Sequence, residues 1–293
     1  MGCMFRPIFD PSADYLWSAN MLNEYRKAFS RPDIYIVILV GFGVAILGLI
    51  EMSSGSSFTL RIDEYFSAYQ ATLALGGNIA ELFAIFLLPL FAILPYADSY
   101  FVEKRSGVHI VSLARQGRFG YFMGKAFAVW VLAVIAILTP YILNQLFCMI
   151  AFPTKRVLDM NASDNIYCSD VSQEMATNPS MLLFLNHPLL RNMLHILYAC
   201  YYGGGIALFA YALTLYIHKN RALALLLPLA IVYASIMVGN SLFGFNGILP
   251  LGIVFGTNYR ILSFQPMLAA IAALYAGSIA AILFKCFGAK DIL

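Results

Sequence analysis

The sequence predicts an all-α integral membrane protein with six transmembrane helices. Hydrophobic residues make up 61% of the 293 residues and charged residues only 11%, whereas a soluble domain typically carries about 25% charged residues. Such a chain cannot cover a water-exposed surface, so lipid must surround most of it. Six apolar stretches also approach the ~20 residues that a helix needs to cross a bilayer. We therefore treat residues 1–293 as a single transmembrane domain.

The six predicted spans are separated by polar segments that interrupt the hydropathy. The first and fifth are short, which a bilayer accommodates by small tilt or local thinning. An even number of spans places both termini on one side of the membrane. The predicted spans are Ile34–Ile50, Leu73–Tyr96, Phe122–Cys148, Met193–Ile217, Ala222–Val238 and Pro266–Phe284.

The distribution of basic residues predicts the orientation. With the termini inside, 13 of the 18 Lys and Arg residues lie on the cytoplasmic side. Basic residues concentrate in the cytoplasmic loops of membrane proteins. We therefore expect a multi-pass membrane protein with both termini cytoplasmic.

Three segments outside the spans have distinct patterns. Residues 12–31 predict an amphipathic elbow helix at the inner interface, centred on Asp14–Ser30, although an ordinary basic juxtamembrane segment is the alternative. Residues 151–192 form a long polar extracellular loop. Ser241–Gln265 is apolar but interrupted by glycines and Pro250, which predicts broken outer half-helices before the last span, because non-helical backbone at membrane depth must be covered by protein.

No nucleotide, metal or cofactor motif is present in the sequence. Gly124-Lys125 resembles the end of a phosphate-binding loop, but Phe119 and Ala126 occupy the positions that need Gly and a hydroxyl residue. The five cysteines lack metal-ligand spacing. Basic runs beside aromatic residues are absent, so we expect no nucleic-acid partner.

An intramembrane enzyme or a channel is the alternative function. Glu81, His187 and His195 are ionisable groups in or near predicted spans, which makes them functional candidates by default. Wetted helix ends are the simpler interpretation. We expect Asn144 and Gln145 to form hydrogen bonds between helices, and Gly203–Gly205 to serve close helix packing rather than an ion filter.

Two cysteines are predicted on the oxidising side of the membrane. Cys148 lies near the outer end of the third span and Cys168 lies in the extracellular loop. A disulfide between them and two free thiols are both consistent with the sequence.

The cytoplasmic loop of residues 98–125 carries the strongest functional pattern. A charged cluster is broken by Gly107, and a short amphipathic helix follows from about Val108 to Ala114 and ends before Gly117. A short helix with an apolar stripe and a basic edge is suited to docking on another protein, although contact with anionic lipid is the alternative. The candidate site residues of this loop are Glu103, Lys104, Arg105, Gly107, Ile110, Val111, Leu113, Arg115, Arg118, Tyr121 and Lys125.

This loop resembles the corresponding loop of ABC-2 type permeases, the membrane subunits of bacterial ABC exporters. The resemblance rests on Glu103, Gly107, Arg118, Tyr121 and Lys125, together with the elbow helix and the six-span layout. Val108 departs from the threonine that the family usually has after the glycine.

The resemblance implies an exporter of the bacterial cytoplasmic membrane whose ATP is hydrolysed by another subunit. Two cytoplasmic ATPase subunits would dock on this loop and on the elbow helix, and the eleven candidate residues of the loop would couple ATP hydrolysis to transport. A second permease chain, identical or related, would complete the pathway. The chain itself would then be neither an enzyme nor a cofactor-binding protein. The expected substrate is amphipathic: a drug, an antimicrobial peptide or a lipid-like molecule.

Overall fold

The computed structural model is all-helical over the residues that it describes. These are residues 22–55, 67–69, 71–74, 78–154, 183, 186–217, 220–243 and 264–288. The helices are α1 (22–29), α2 (Pro32–Gly55), α3 (Asn78–Leu82), α4 (Leu88–Ile93), α5 (Ser99–Ser106), α6 (Val108–Ala151), α7 (Pro188–Thr214), α8 (Arg221–Phe243) and α9 (Phe264–Gly288).

Four helices in the described part of the chain are long and apolar enough to cross a membrane. Two shorter apolar helical stretches, Asn78–Ile93 and Arg221–Ala234, lie in the second and fifth predicted spans. The sixteen residues of Asn78–Ile93 extend only about 24 Å, less than the ~30 Å hydrocarbon core, and in α8 the apolar stretch covers only the part Arg221–Ala234. Six spans therefore stay a prediction. The four long helices are Pro32–Ser53, Val108–Ala151, Pro188–Thr214 and Ile271–Gly288.

The helix of the second predicted span begins later than the apolar stretch from which the span was predicted. Residues 71–74 form bends and turns, and helix α3 starts only at Asn78. The Glu51 carboxylate at the end of α2 accepts hydrogen bonds from the backbone N–H groups of Asn78 (2.7 Å) and Ile79 (2.9 Å). A carboxylate at a helix N-terminus satisfies unpaired donors and complements the helix dipole.

A π-helical turn, Phe83–Leu87, joins α3 to α4. Pro89 follows in the first turn of α4 and has no N–H to donate to the carbonyl of Ile85. The turn is therefore wider than an α-helical turn, and the backbone N–H of Leu88 donates to the carbonyl of Phe83.

Helices α6 and α7 form the centre of the bundle. Helix α2 packs against α6, whereas α4, α8 and α9 pack against α7. The glycines Gly203–Gly205 let neighbouring helices approach closely, since a Cβ on Gly204 would lie 2.5 Å from Trp130 Nε1 and one on Gly205 would lie 2.9 Å from Tyr275 Cε2. The packing role expected for these glycines is confirmed.

Large apolar side chains cover the outside of the bundle. Leu39 on α2, Leu226 on α8 and Phe284 on α9 are each more than 60% exposed. An apolar exterior of this kind is stable in lipid and not in water. Together with the four long apolar helices, it makes this chain a multi-pass membrane protein.

Charge is concentrated at one end of the bundle, which we call the basic end. At this end α2, α6 and α8 begin, and α7 and α9 end. Ten of the eleven described Lys and Arg residues lie here, the exception being Arg191. They are Arg26, Lys27, Arg31, Lys104, Arg105, Arg115, Arg118, Lys125, Arg221 and Lys285.

Several predicted segments lie wholly or partly outside the described residues. Of the elbow segment 12–31, residues 22–29 form α1 and residues 12–21 are not described. The centre of the extracellular loop and most of Ser241–Gln265 also lie outside, so the half-helices stay a prediction. Helix α1 buries Glu24 and Ala28 and exposes Leu22 and Phe29, so its polar residue faces the protein.

Candidate functional site

Two glycines delimit the short helix at the basic end. Gly107 has φ +75° and Gly117 has φ +71°, a left-handed conformation that glycine adopts at little cost. Gly107 caps α5, and the extended ψ of 161° at Gly117 breaks the helix again. Residues 108–116, which we call the short helix, therefore form a separate unit before the long part of α6. The predicted breaks at both glycines are confirmed.

The short helix presents apolar side chains to its surroundings. Val108, Ile110 and Val111 are 46%, 56% and 54% exposed, so no described part of the chain covers them. Leu113 differs from the expectation, because it is partly buried and packs against the core. Both faces of the short helix carry apolar residues, which is why hydropathy alone assigned Leu113 to the outer face.

The predicted basic residues of the loop occupy different environments. Arg105 and Arg115 are exposed, whereas Arg118 is half-buried. The Lys104 ammonium lies 5.9 Å from the centre of the Tyr100 ring, a distance at which a cation is attracted to an aromatic face.

Glu103 and Lys125 belong to a network that we call the charge cluster: Glu24, Lys27, Glu103 and Lys125. Three of the four residues are buried, whereas the Lys27 side chain is 41% exposed. Lys125 Nζ lies 2.8 Å from Glu103 Oε2 and 3.3 Å from Glu24 Oε2. Lys27 Nζ donates to Glu24 Oε1 (2.8 Å) and Glu103 Oε1 (2.9 Å). Two ammonium groups thus neutralise two carboxylates, and the cluster joins α1, α5 and α6.

Two tyrosine hydroxyls complete the coordination of these carboxylates. Tyr96 donates to Glu24 Oε2 (2.8 Å) and Tyr121 donates to Glu103 Oε2 (2.7 Å). Burial by itself would raise the pKa of Glu103, but the charge of Lys125 and hydrogen bonds from Lys125, Lys27 and Tyr121 outweigh it and lower the pKa to about 2. The Glu103 carboxylate is therefore charged at any physiological pH.

A second network, which we call the aspartate node, centres on Asp98 at the start of α5. Arg31 Nη1 donates to Asp98 Oδ1 (2.7 Å) and Arg221 Nε donates to Asp98 Oδ2 (2.6 Å). Arg221 Nη2 also lies 3.6 Å from Asp33 Oδ2. The node ties the beginnings of α2, α5 and α8, with Asp98 only 1% exposed.

Amide side chains hold the non-helical segments 67–69 and 71–74 near the opposite end. Asn144 accepts a hydrogen bond from the Leu73 N–H (2.9 Å) and donates to the Ala45 carbonyl (3.0 Å). Asn192 donates to the Tyr69 carbonyl (3.0 Å) and to Gln145 Oε1 (3.2 Å). The hydrogen bonds expected of Asn144 and Gln145 are confirmed, and they satisfy backbone that lies inside an apolar bundle.

Only one of the two cysteines of the predicted disulfide lies in the described part of the chain. Cys148 is buried and its thiol donates to the Ala71 carbonyl at 2.9 Å. Cys168 lies outside the described residues, so a disulfide between the two stays a prediction.

The three candidates for an enzyme do not form a site in the described part of the chain. His187 is exposed at the start of α7, whereas His195 is buried with its ring edge-on to Tyr141 at 6.1 Å. Glu81 lies in α3, and its side chain is outside the description. The described residues contain no group of three His, Cys, Asp or Glu side chains that could hold a metal ion.

Seven residues of the charge cluster and the aspartate node were absent from the predicted site: Glu24, Lys27, Arg31, Asp33, Tyr96, Asp98 and Arg221. A signal existed for some of them, because buried carboxylates are rare and Asp98 and Glu103 lie on either side of an aromatic stretch. A single sequence does not show which Lys or Arg side chain each carboxylate pairs with. Comparison of the chain with protein-family models, curated proteins and solved structures found no match.

Proposed function

We propose that this chain is the membrane subunit of an ABC exporter, with ATP hydrolysed by two copies of a separate cytoplasmic subunit and with a second permease chain beside it. One observation carries the proposal: the short helix exposes Val108, Ile110 and Val111 at the basic end of a membrane bundle. An apolar helix face with a basic edge favours burial against a protein partner. The resemblance of the 98–125 loop to ABC-2 permeases supplies the identity of that partner.

The connections of the short helix support a role in transmitting movement. The Glu103 side chain joins the charge cluster one helical turn before Gly107, and the Lys125 side chain joins it two turns after Gly117. The cluster also holds α1 through Lys27. A displacement of the short helix would therefore be transmitted to α1, α5 and α6 through ion pairs rather than through a flexible loop. Coupling to ATP hydrolysis requires such a connection.

We infer that the basic end is cytoplasmic, with six spans and both termini on that side, because basic residues concentrate there. In a variant with Cys at position 110 and its native cysteines replaced, a membrane-impermeant maleimide should label inside-out vesicles and not intact cells. Labelling of intact cells would place the short helix outside and remove the proposed ATPase contact.

The decisive variant is Ile110→Asp, expressed together with the proposed ATPase subunit. Truncation or charging of a central apolar anchor commonly costs about 1–3 kcal/mol of binding, so we expect about tenfold less ATPase to co-purify, with loss of substrate-stimulated hydrolysis. Ile110 is preferable to Leu113, whose partial burial would mix folding with docking.

Ser112→Asp is the matched control, since it adds the same charge to the same helix on a less exposed face. It should keep most of the ATPase attached. A normal complex and normal hydrolysis for Ile110→Asp would contradict the coupling assignment. Turnover of a substrate by the isolated chain, lost on replacing Glu81 or His195, would instead support the enzyme alternative.

A further inference from the structure

A pocket of about 280 Å³ lies at the basic end between α5 and the start of α8. Its lining residues are Phe101, Val102, Arg105, Ser106 and Arg221. The four residues from α5 share one helical face, being spaced one, four and five apart. Phe101 is buried, whereas Arg105 and Arg221 are exposed, so the pocket has an apolar base and two guanidinium groups near solvent.

The charges of the described chain do not neutralise this region. Four carboxylates lie at the basic end among the described residues, Glu24, Asp33, Asp98 and Glu103, and all four form ion pairs within the charge cluster or the aspartate node. The same described part of the chain places ten basic residues at this end. Arg105 has no ion pair with any described carboxylate, so a positive charge lines the pocket without a described anion to balance it.

Arg221 retains donors for a further anion. Its Nε–H is committed to Asp98, and its Nη2 is 3.6 Å from Asp33, which is longer than a hydrogen bond. The remaining terminal N–H groups belong to a side chain that is 50% exposed. Planar guanidinium groups bind phosphate oxygens in pairs, with geometry that an ammonium group does not match.

More positive charge lies on the neighbouring face of α5. Burial lowers the pKa of Lys104, and the nearby charge of Lys285 lowers it further. Lys285 is in the last turn of α9 and lies over the Tyr216 ring at 5.7 Å. The ends of α5 and α9 therefore bring two like charges together, an arrangement that a bound anion relieves.

The surroundings of the pocket match the level of a lipid headgroup. Leu223 and Leu226 follow Arg221 on α8 and are 50% and 61% exposed, and Phe284 precedes Lys285 on α9 and is 72% exposed. Each helix thus passes from a cation to exposed apolar side chains within two turns. A ligand with an anionic head and apolar chains pairs with the cations and packs against the exposed apolar side chains.

We propose that this pocket binds the phosphate group of an anionic phospholipid, with Arg105 and Arg221 as its cationic partners and its acyl chains against Leu223 and Leu226. Basic pockets between membrane helices bind such headgroups. The proposal needs only the membrane location and is independent of the exporter assignment. A soluble phosphate ester shares the headgroup chemistry, and the test separates the two.

The test titrates the purified chain, in an uncharged detergent, with dioleoylphosphatidylglycerol and counts bound lipid by native mass spectrometry. The first lipid should bind Arg105→Gln about five- to tenfold more weakly than the wild type, because each basic residue near a headgroup contributes about that factor. Arg115→Gln, which removes the same exposed charge from the short helix, should change the affinity less than twofold. Val102→Trp, which fills the pocket without altering charge, should weaken binding at least as much as Arg105→Gln.

Three results would overturn the proposal. Equal losses for Arg105→Gln and Arg115→Gln would indicate diffuse surface attraction. Unchanged binding in both Arg105→Gln and Val102→Trp would show that the lipid binds elsewhere. Full displacement of the lipid by sn-glycerol 3-phosphate at equal concentration would identify a soluble phosphate ester as the ligand. None of these results depends on an ATPase partner, so the exporter proposal can fail or stand separately.

Discussion

Lys125→Met is expected to lower the free energy of unfolding by about 3 kcal/mol. Removing one partner of a buried ion pair commonly costs about 3–5 kcal/mol, since a charge is left uncompensated in a region of low dielectric constant. Here Glu24 and Glu103 would share Lys27 alone, together with the hydroxyls of Tyr96 and Tyr121. The remaining contacts place the expected loss at the lower end of that range.

Thermal unfolding of the purified chain in detergent measures the effect. About 3 kcal/mol corresponds to a decrease in melting temperature of roughly 6–12 °C for a chain of this size. Arg115→Met removes an exposed charge and should change stability by about 0.5 kcal/mol or less. Adding Glu103→Gln to Lys125→Met should recover part of the loss, because the cluster is then neutral again. If Lys125→Met is as stable as Arg115→Met, the charge cluster does not hold the helices together.

Asp98→Ala is expected to lower the free energy of unfolding by a similar amount, about 3 kcal/mol, because it disrupts the aspartate node. The carboxylate is buried and accepts short hydrogen bonds from Arg31 and Arg221. Hydrogen bonds to charged groups contribute about 1.5–3 kcal/mol each, and without Asp98 the two guanidinium groups face each other. Arg221 can turn toward water, which limits the loss.

Hydrogen exchange provides a local measurement of the same variant. Amides at the start of α8 should exchange faster in Asp98→Ala, because Arg221 no longer fixes that helix to α5. Asp33→Ala is the matched control: its carboxylate is 35% exposed and 3.6 Å from Arg221, so its loss should cost less than about 1 kcal/mol. Equal exchange in the two variants would show that Asp98 is not the centre of the node.

Composition and glycine positions predicted the parts of this fold that depend on local chemistry. The apolar composition predicted helices in lipid, and Gly107 and Gly117 predicted the ends of the short helix, since few other residues adopt a positive φ. Leu73 shows the limit of hydropathy. Its neighbourhood is apolar enough for a span, yet the Leu73 N–H bonds to Asn144, so an amide 71 residues away replaces the helical hydrogen bond.

The sequence predicted which residues of the loop form the candidate site but not how their side chains are arranged. Glu103 and Lys125 were both expected to act in coupling, but the sequence could not show that they bind each other. Ion pairs such as Lys27 with Glu103 join residues 76 apart, and distance along the chain contains no information about contact. The outward orientation of Ile110 and the inward orientation of Leu113 likewise depend on what lies behind the short helix.

The order of synthesis gives the charge cluster a further consequence. Glu24 leaves the ribosome about a hundred residues before Lys125, an interval of roughly 5–20 s at usual elongation rates. During that interval Glu24 lacks one of the two ammonium groups that balance the cluster, and burial without it is costly. The docking of α1 therefore reaches its full stability only after the translation of α6. In an N-terminal fragment that stops before Lys125, Lys27 and Tyr96 are the remaining partners of Glu24, and α1 is held more weakly than in the full chain.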